Sequence, residues 1–123
     1  MRNNMKQFTK HVTFNVAKQL KEAGFPQELR GVCHAFSKDG SHYNIYQRDN
    51  YVAAPTYGHV FDWLLEKGYI LLIAPGISPV SYRPGDKITR WQGWMNAEII
   101  AEAETWEECA EKAVINTLKR IAE

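Results

Sequence analysis

The sequence has few of the features that usually reveal what a protein does. Its two cysteines, Cys33 and Cys109, lie far apart in the chain and form neither a paired metal-binding pattern nor a redox pattern. Both are expected to be small buried residues in a reducing compartment. The longest apolar run, residues 69–74, is too short to cross a bilayer, and residues 1–10 contain no apolar signal core. These absences predict a cytoplasmic protein with no membrane contact.

Signatures of common chemistry are missing as well. The chain contains no phosphate-binding, dinucleotide-binding, zinc-protease or nucleophile-elbow motif. Cys33 and His34 are adjacent and would point to opposite faces of a strand, which disfavours a joint metal site with His42. The carboxylate clusters at residues 98–104 and 107–111 fit the polar face of a strand and the start of a helix. The sequence therefore predicts no catalytic residue, no metal ligand and no cofactor, and favours a protein that is not an enzyme.

Net charge is close to zero but unevenly distributed. The formal charge is +1, yet residues 1–21 hold five basic residues and no acidic one, while residues 98–123 hold seven Glu against three basic residues. This asymmetry would suit an acidic partner, or would let the terminal helices attract each other, and we favour the second interpretation. Nucleic-acid binding is disfavoured because such proteins usually carry a larger basic excess.

Capping signals predict three helices. Thr13 is the N-cap of the first, Val16, Ala17 and Leu20 form its apolar stripe, and a Schellman ending is expected at Gly24. The second helix lies in YVAAPTYGHVFDWLLEKGY, residues 51–69, with its N-cap at the Thr of APT and its end at the last Gly. The sequence TWEE is a capping box that begins the third helix.

Alternating and continuous apolar stretches predict the strands. LRGVCHAF and HYNIYQ flank a turn at Asp39-Gly40 and form a hairpin. YILLIA is consistent with a strand buried on both faces. KITRWQGWM and AEIIAEAE follow, either as one strand bent near Gly93 or as a hairpin, and the sequence leaves both alternatives open.

These elements predict an α+β fold with the order α-β-β-α-β-β(-β)-α. Short connections between neighbouring strands imply antiparallel pairing, so we expect a mostly antiparallel sheet of four to five strands packed with three helices. Residues 13–123 are expected to form a single domain. Residues 1–12 are interpreted as a basic N-terminal arm that can be flexible.

The start of the second helix is the first candidate ligand site. Its amides at Tyr57, Gly58 and His59, after the cap at Thr56, can receive a phosphate or carboxylate near the positive end of the helix dipole. Gly58 has no side chain to block the approach. The alternative is that Thr56 only caps the helix and the neighbouring aromatic residues pack in the core.

The second candidate is the segment SYRPGDKITRWQGW. Arg83, Lys87, Arg90, Trp91 and Trp94 combine cations with aromatic faces, a mixture suited to stacking on nucleotide bases and enriched at protein interfaces. The alternative is cross-strand packing. At least one of Trp91 and Trp94 is expected to lie in the core, because their spacing places them on opposite faces of a strand.

Three stretches together resemble a known group of proteins. TFNVAKQLKEAGF, YVAAPTYGHVFDWLLEKGY and ETWEECAEKAVINTLKRI look like small uncharacterised proteins encoded by phages and prophages of gut Bacteroidales, over nearly the whole chain. The resemblance implies a phage-type accessory protein in the cytoplasm of a bacterial host, and it supplies no catalytic residues. Residues 91–94 depart from the group pattern, which makes that region the place to look for a ligand of this protein's own.

The preferred hypothesis is a non-enzymatic accessory protein that binds a host macromolecule or associates with itself. The second is a protein that binds or sequesters a small nucleotide-like signal through the two candidate segments. The third is a small hydrolase that relies on His59 or His34. Because four tryptophans in a short chain leave room for an exposed aromatic patch, a homodimer is slightly favoured over a monomer.

Overall fold

A computed structural model of the chain describes residues 10–27, 35–37, 43–44, 51–76, 83–85 and 87–122. These residues form three helices and two antiparallel sheets. The helices are α1 (Phe14–Glu22), α2 (Tyr57–Glu66) and α3 (Trp106–Ala122). The strands are β1 (Ala35–Ser37), β2 (Tyr43–Asn44), β3 (Tyr51–Ala53), β4 (Leu71–Pro75), β5 (Trp91–Met95) and β6 (Glu98–Ala103). The predicted α+β class is confirmed.

Helix α1 begins and ends where its capping residues predict. Thr13 has an extended backbone, and its Oγ1 accepts a hydrogen bond of 3.4 Å from the Val16 amide. At the other end Gly24 has a φ of +93°, and the amides of Gly24 and Phe25 donate to carbonyls of the last turn at 3.1 and 2.9 Å. These two bonds are those of a Schellman ending, in which a residue without Cβ is favoured at the left-handed position.

Helix α2 follows the same plan. Thr56 Oγ1 accepts a hydrogen bond of 3.3 Å from the His59 amide, which confirms Thr56 as the N-cap. At the C-terminal end Gly68 again has positive φ, and the Tyr69 amide donates to Leu64 O at 2.9 Å. The buried residues of the helix recur at helical spacing and are Tyr57, Val60 and Leu64. Full burial of a large apolar side chain stabilises a fold by about 1.5–3 kcal/mol.

The segment before α1 is bonded to the segment before α2. Val12 N–H donates to Pro55 O and Tyr57 N–H donates to Lys10 O, both at 3.0 Å, so the two segments run antiparallel for a short distance. Val12 is buried at 2% exposure. Residues 10–12, which the sequence assigns to the N-terminal arm, therefore belong to the folded domain.

The first sheet has the strand order β2-β1-β3, with antiparallel pairing throughout. The predicted hairpin corresponds to β1 and β2, in which Phe36 pairs with Tyr43, while its turn at Asp39-Gly40 lies outside the described residues. The third strand, β3, pairs with β1 and is not predicted from the sequence. Because β3 has only three residues and Pro55 follows after a single residue, the strand is too short to show a periodicity.

The second sheet has the strand order β4-β5-β6, again antiparallel. Strands β5 and β6 are joined through Asn96 and Ala97, so the open alternative at residues 88–103 is resolved as a hairpin. The register shifts between Gly93 and Trp94, with Gly93 opposite Ala101 and Trp94 opposite residue 99. This β-bulge changes which side chains of β6 reach each face.

Helix α3 covers one face of the second sheet. Thr105 Oγ1 accepts a hydrogen bond of 3.2 Å from the Glu108 amide, as the capping box predicts. The helix crosses the sheet so closely that a Cβ built on Gly93 would lie 2.9 Å from the Ala113 Cβ. At its C-terminal end Arg120 donates two hydrogen bonds, of 3.0 and 3.1 Å, to the Glu98 carboxylate. The hydrogen bonds from Arg120 hold the pKa of Glu98 below its usual value.

One hydrophobic core joins the helices and sheets into a single domain. It contains buried residues of every helix and of strands β3, β4 and β6, with Val16, Leu20, Val60, Leu64 and Val114 fully buried. In the segment before α1, Lys10 forms an ion pair with Glu107 of α3, and Thr13 donates to Glu111 of α3 at 2.9 Å. The ion pair is one contact between the basic and the acidic end of the chain.

The observed sheets differ from the predicted single sheet of four to five strands. In the described residues the order is α-β-β-β-α-β-β-β-α, with two sheets of three strands each. The prediction that YILLIA is buried on both faces is wrong, because Leu72 is 58% exposed while Ile73 is 9% exposed. Apolar residues at both odd and even positions of a strand do not by themselves mean that both faces of its sheet are buried. If only one helix packs against the sheet, the other face stays exposed.

Candidate functional site

The β4–β5–β6 sheet has two faces of different character. The inner face, directed toward α3, carries the buried residues Ile73, Gly93, Met95 and Ala101. The outer face carries the residues that alternate with them. These are Leu72, Ala74, Gln92, Trp94, Ile99 and Glu102.

An apolar groove lies on the outer face, at the end near the β5–β6 turn; we call it the apolar groove. Its volume is about 770 Å³, and it is lined by Gly68, Ile70, Leu72, Trp94, Asn96 and Ala97. Ile70 and Leu72 are each 58% exposed, and Ile99, which pairs with Trp94, is 43% exposed. A solvated face of an antiparallel sheet usually carries polar side chains. A row of Leu72, Trp94 and Ile99 across three strands is therefore an unusual exposed apolar surface.

Asn96 closes one end of the groove. Its backbone amide donates to Ile70 O at 3.0 Å, its Oδ1 accepts from the Ile70 amide at 2.8 Å, and its Nδ2 donates to Gly68 O at 3.2 Å. Apart from the indole N–H of Trp94, the Asn96 amide is the only polar side-chain group among the lining residues. Because both ends of that amide already have partners, the groove offers mainly apolar contact.

The turn beside the groove holds two residues in the left-handed region. Asn96 has a φ of 49° and Ala97 a φ of 68°, as a two-residue type I′ turn requires. Asn adopts this conformation readily, but the Cβ of an alanine makes it unfavourable by roughly 1–2 kcal/mol. The chain therefore keeps a strained residue at the wall of the groove.

The other end of the outer face is polar. Arg90 Nη2 donates to Glu102 Oε1 at 2.9 Å, and Gln92 Nε2 donates to the same oxygen at 3.4 Å. The hydrogen bond from Arg90 is the main reason that the pKa of Glu102 lies below its usual value. The outer face thus combines an apolar groove with a charge pair that is neutral as a whole.

Strand β6 forms an edge of this sheet in the described part of the chain. Two of its carbonyls receive hydrogen bonds from α3 side chains: Asn116 Nδ2 donates to Ile100 O at 2.7 Å, and Lys112 Nζ donates to Glu102 O at 3.4 Å. An added strand would need such carbonyls as acceptors. Side chains of α3 therefore hinder strand addition at β6.

The predicted ligand site at the start of α2 has its groups engaged within the chain. Tyr57 N–H donates to Lys10 O and His59 N–H donates to Thr56 Oγ1. His59 Nδ1 and Thr56 Oγ1 also share a hydrogen bond of 2.7 Å. Two of the three amides proposed to receive an anion are thus occupied, while His59 is exposed and Gly58 is half-buried.

The Tyr57 side chain is a core residue. It is 3% exposed and packs edge-on against Trp106, with ring centroids 5.6 Å apart. Burial, together with the nearby carboxylates of Glu111 and Glu107, raises the pKa of Tyr57 well above its usual value. Tyr57 is consequently a neutral packing residue and does not form an exposed aromatic wall.

The second predicted segment is divided between the two faces of the sheet. Trp91 is half-buried and packs against the core, and Trp94 lines the groove, so the two side chains lie on opposite faces of β5 as their spacing predicts. Arg90 belongs to the outer face, and Arg83 and Lys87 are exposed in the connection before β5. The groove lies at the C-terminal end of α2, whereas the Thr56 cap lies at its other end, about 15 Å away along a ten-residue helix.

Of the residues that line the groove, only Trp94 is among the sequence-based candidates. Ile70, Leu72 and Ile99 read as ordinary strand residues, because nothing local shows which face of a strand will be covered. The run from Tyr69 to Ile73 does indicate an exposed apolar face, because apolar residues occupy both its odd and its even positions. Only one helix follows the hairpin to cover the sheet, so the residues of one alternate set must stay exposed.

The cysteines and histidines add no reactive centre to the described residues. Cys109 is a free, fully buried thiol, as expected, and burial raises its pKa to about 11, so it is inert at neutral pH. Cys33, His34 and His42 lie outside the described residues. Within the ranges that are described, no group of three His, Cys, Asp or Glu side chains is placed to hold a metal ion.

No protein-family model matches the chain, and no curated protein or solved structure matches it. Among the helices described, none is long and apolar enough to span a membrane. The surface described above is therefore the basis on which a function can be inferred.

Proposed function

We propose that this protein is a non-enzymatic binding protein whose contact surface is the apolar groove and the exposed residues beside it. The single observation that supports this function is the row Leu72–Trp94–Ile99 on the outer face of the second sheet. The largest exposed apolar patch of a monomeric soluble protein typically measures about 300–600 Å² and is often functional. A contiguous row of this kind is more than a scatter of single exposed side chains.

The composition of the groove fits a protein partner. Binding energy at protein interfaces is concentrated in a few residues, among which Trp is enriched, surrounded by contacts that exclude water. Trp94 is placed to be such a residue, because Leu72 and Ile99 flank it on the neighbouring strands and can exclude water from around it. Because Asn96 already has its hydrogen bonds within the chain, discrimination would come from shape and apolar contact.

A nucleotide-like ligand has less support. It would need the free amides of the α2 start and the cations of the Arg83 to Trp94 segment, but two of those amides are bonded and Arg90 is paired with Glu102. A hydrolase based on His59 also has little support, because its Nδ1 is hydrogen-bonded to Thr56 Oγ1, the cap of its own helix, and its amide donates to the same oxygen. In keeping with the resemblance noted above, we place the binding protein among phage-type accessory proteins that act in the cytoplasm of a bacterial host.

The experiment that tests this function is site-specific photo-crosslinking in Bacteroidales cells. Leu72 is replaced by a photoreactive phenylalanine analogue, and the matched control carries the same analogue at Leu65 of α2, which is 54% exposed and outside the groove lining. We expect position 72 to give protein adducts of discrete mass that excess unlabelled protein competes away. Position 65 should give only a diffuse background.

Two results would contradict the proposal. One is the absence of competable adducts at position 72 in both cells and purified protein. The other is the same pattern of adducts at positions 72 and 65, which would mean that any exposed apolar residue reacts equally and that the groove has no special role.

A further inference from the structure

We infer that the occupant of the apolar groove is a second copy of this chain, in a twofold dimer whose outer sheet faces stack on each other. This inference rests on the proposed function and names its partner. Sheets that pack face to face lie about 10 Å apart, with their inward side chains interdigitated. The dimer would place the two β4–β5–β6 sheets in the middle and the two α3 helices on the outside.

The shape of the surface suits a twofold axis. An interface of this symmetry uses the same patch on both subunits, so the patch must be complementary to itself. Here Ile99, at 43% exposure, lies beside the concave groove, and two of the lining residues, Ile70 and Leu72, are themselves 58% exposed. One copy can therefore supply the side chains that fill the groove of the other.

The charges on this face are also compatible with a second copy. Arg90 and Glu102 neutralise each other at the polar end, and a twofold axis parallel to the strands would bring the two polar ends together, where the pairs can exchange their partners. The formal charge of the whole chain is +1, so two copies repel each other only weakly. An acidic or basic macromolecule would find no excess charge of opposite sign among the outer-face residues to guide it.

The protection of β6 disfavours association through that edge of the sheet. Asn116 and Lys112 already bond to carbonyls of the strand, so pairing between edges would have to displace them. Stacking of the outer faces leaves those bonds intact.

The size of the face predicts a weak dimer. Three strands of five or six residues cover a plan area of roughly 15 by 18 Å, which is small beside the ≈ 800 Å² that each partner buries in a standard interface. We therefore expect an association that depends on protein concentration, with a dissociation constant on the order of micromolar or weaker.

The test is sedimentation equilibrium of the purified full chain from about 1 to 500 µM, a range chosen to cover such affinities. The weight-average mass should rise from 14.2 kDa, the mass of one chain, toward twice that value. Leu72→Glu should weaken the dimer by about tenfold or more, since it would bury a charge at the centre of the interface. Leu65→Glu, which makes the same change at a similarly exposed residue, should leave it unchanged.

A second measurement does not depend on any variant. On dilution of the wild-type protein, the indole N–H signal of Trp94 should shift in the NMR spectrum, while that of the core residue Trp106, 3% exposed, should not. Equal shifts at both indoles, an equal loss of the dimer in both Leu→Glu variants, or a monomer at every concentration would overturn the inference.

The outcome for the dimer is separable from that for the proposed function. A monomeric protein that still gives competable adducts at position 72 with another protein keeps the binding function and excludes the second copy as occupant. A monomeric protein without such adducts loses both.

Discussion

The inner and outer faces of the second sheet are built from alternate residues of the same strands, yet only one of them is buried. Met95 and Ile73 on the inner face are 4% and 9% exposed, while Leu72 on the outer face is 58% exposed. The two faces contain similar residue types, so composition does not explain the difference. What differs is cover: α3 lies against one face, and no described residue packs over the groove on the other. Burial is thus decided by the position of one helix.

The strongest way to test this comparison is to remove an apolar side chain from each face. Met95→Ala should lower the free energy of unfolding by about 2–5 kcal/mol, because it leaves a cavity in a packed region. Leu72→Ala should lower it by less than about 1 kcal/mol, because the side chain is mostly hydrated already. Urea denaturation of both variants, measured at low protein concentration to avoid any effect of association, gives the two values. Similar losses for the two variants would mean that the outer face is covered in solution.

A second test concerns the contact between the inner face and α3. Gly93→Ala should destabilise the protein by about 1–3 kcal/mol, because the new Cβ would lie 2.9 Å from the Ala113 Cβ and 3.2 Å from the Ala101 Cβ. Thermal and urea unfolding would measure the loss.

The control for this test is the double variant Gly93→Ala with Ala113→Gly. Ala113→Gly alone should itself be destabilising by about 1 kcal/mol, since glycine is a poor residue inside a helix. If the steric contact causes the loss, the double variant should be more stable than the sum of the single effects predicts. Purely additive losses would show that the close approach of α3 is not the cause.

The smallest expected effect on stability concerns Ala97, in the turn beside the outer face. Ala97→Gly should raise the free energy of unfolding by about 0.5–1 kcal/mol, because glycine adopts a φ near 68° without a Cβ penalty, although its greater freedom in the unfolded chain offsets part of the gain. Chemical denaturation would measure the difference. Ala74→Gly, inside β4 on the same face, should instead be destabilising. A loss of stability in Ala97→Gly would mean that the methyl group of Ala97 packs favourably in the groove.

The helices could be predicted because their signals are local. The caps at Thr13, Thr56 and Thr105 each involve an amide three residues further along, and the ending at Gly24 involves only the last helical turn. Such signals lie within one window of sequence and do not depend on the remainder of the fold. The three helices are accordingly found where their capping residues predict them.

The sheets and the candidate site could be predicted only in part, because they depend on contacts between distant residues. The pairing of β3 with β1 joins short segments that carry no periodicity of their own. The bulge at Gly93 and Trp94 places Ile99 beside Trp94 on the outer face, although regular alternation groups Ile99 with Ala101. Trp94 is among the candidates predicted on chemical grounds, whereas Leu72 is a candidate only because α3 covers the opposite face and leaves its own face exposed.

The bridge between the segments that precede α1 and α2 has a consequence for folding. His11 donates from Nδ1 to Ala54 O at 2.6 Å across a separation of 43 residues, beside the backbone bonds of Val12 with Pro55 and of Tyr57 with Lys10. The amide at the first residue of α2 therefore gains its acceptor only after this long loop has closed, which tends to slow the folding of a chain. Deleting residues up to and including Lys10 would leave the Tyr57 amide without this acceptor and would weaken the start of α2, whereas the Thr13 cap of α1 would be retained.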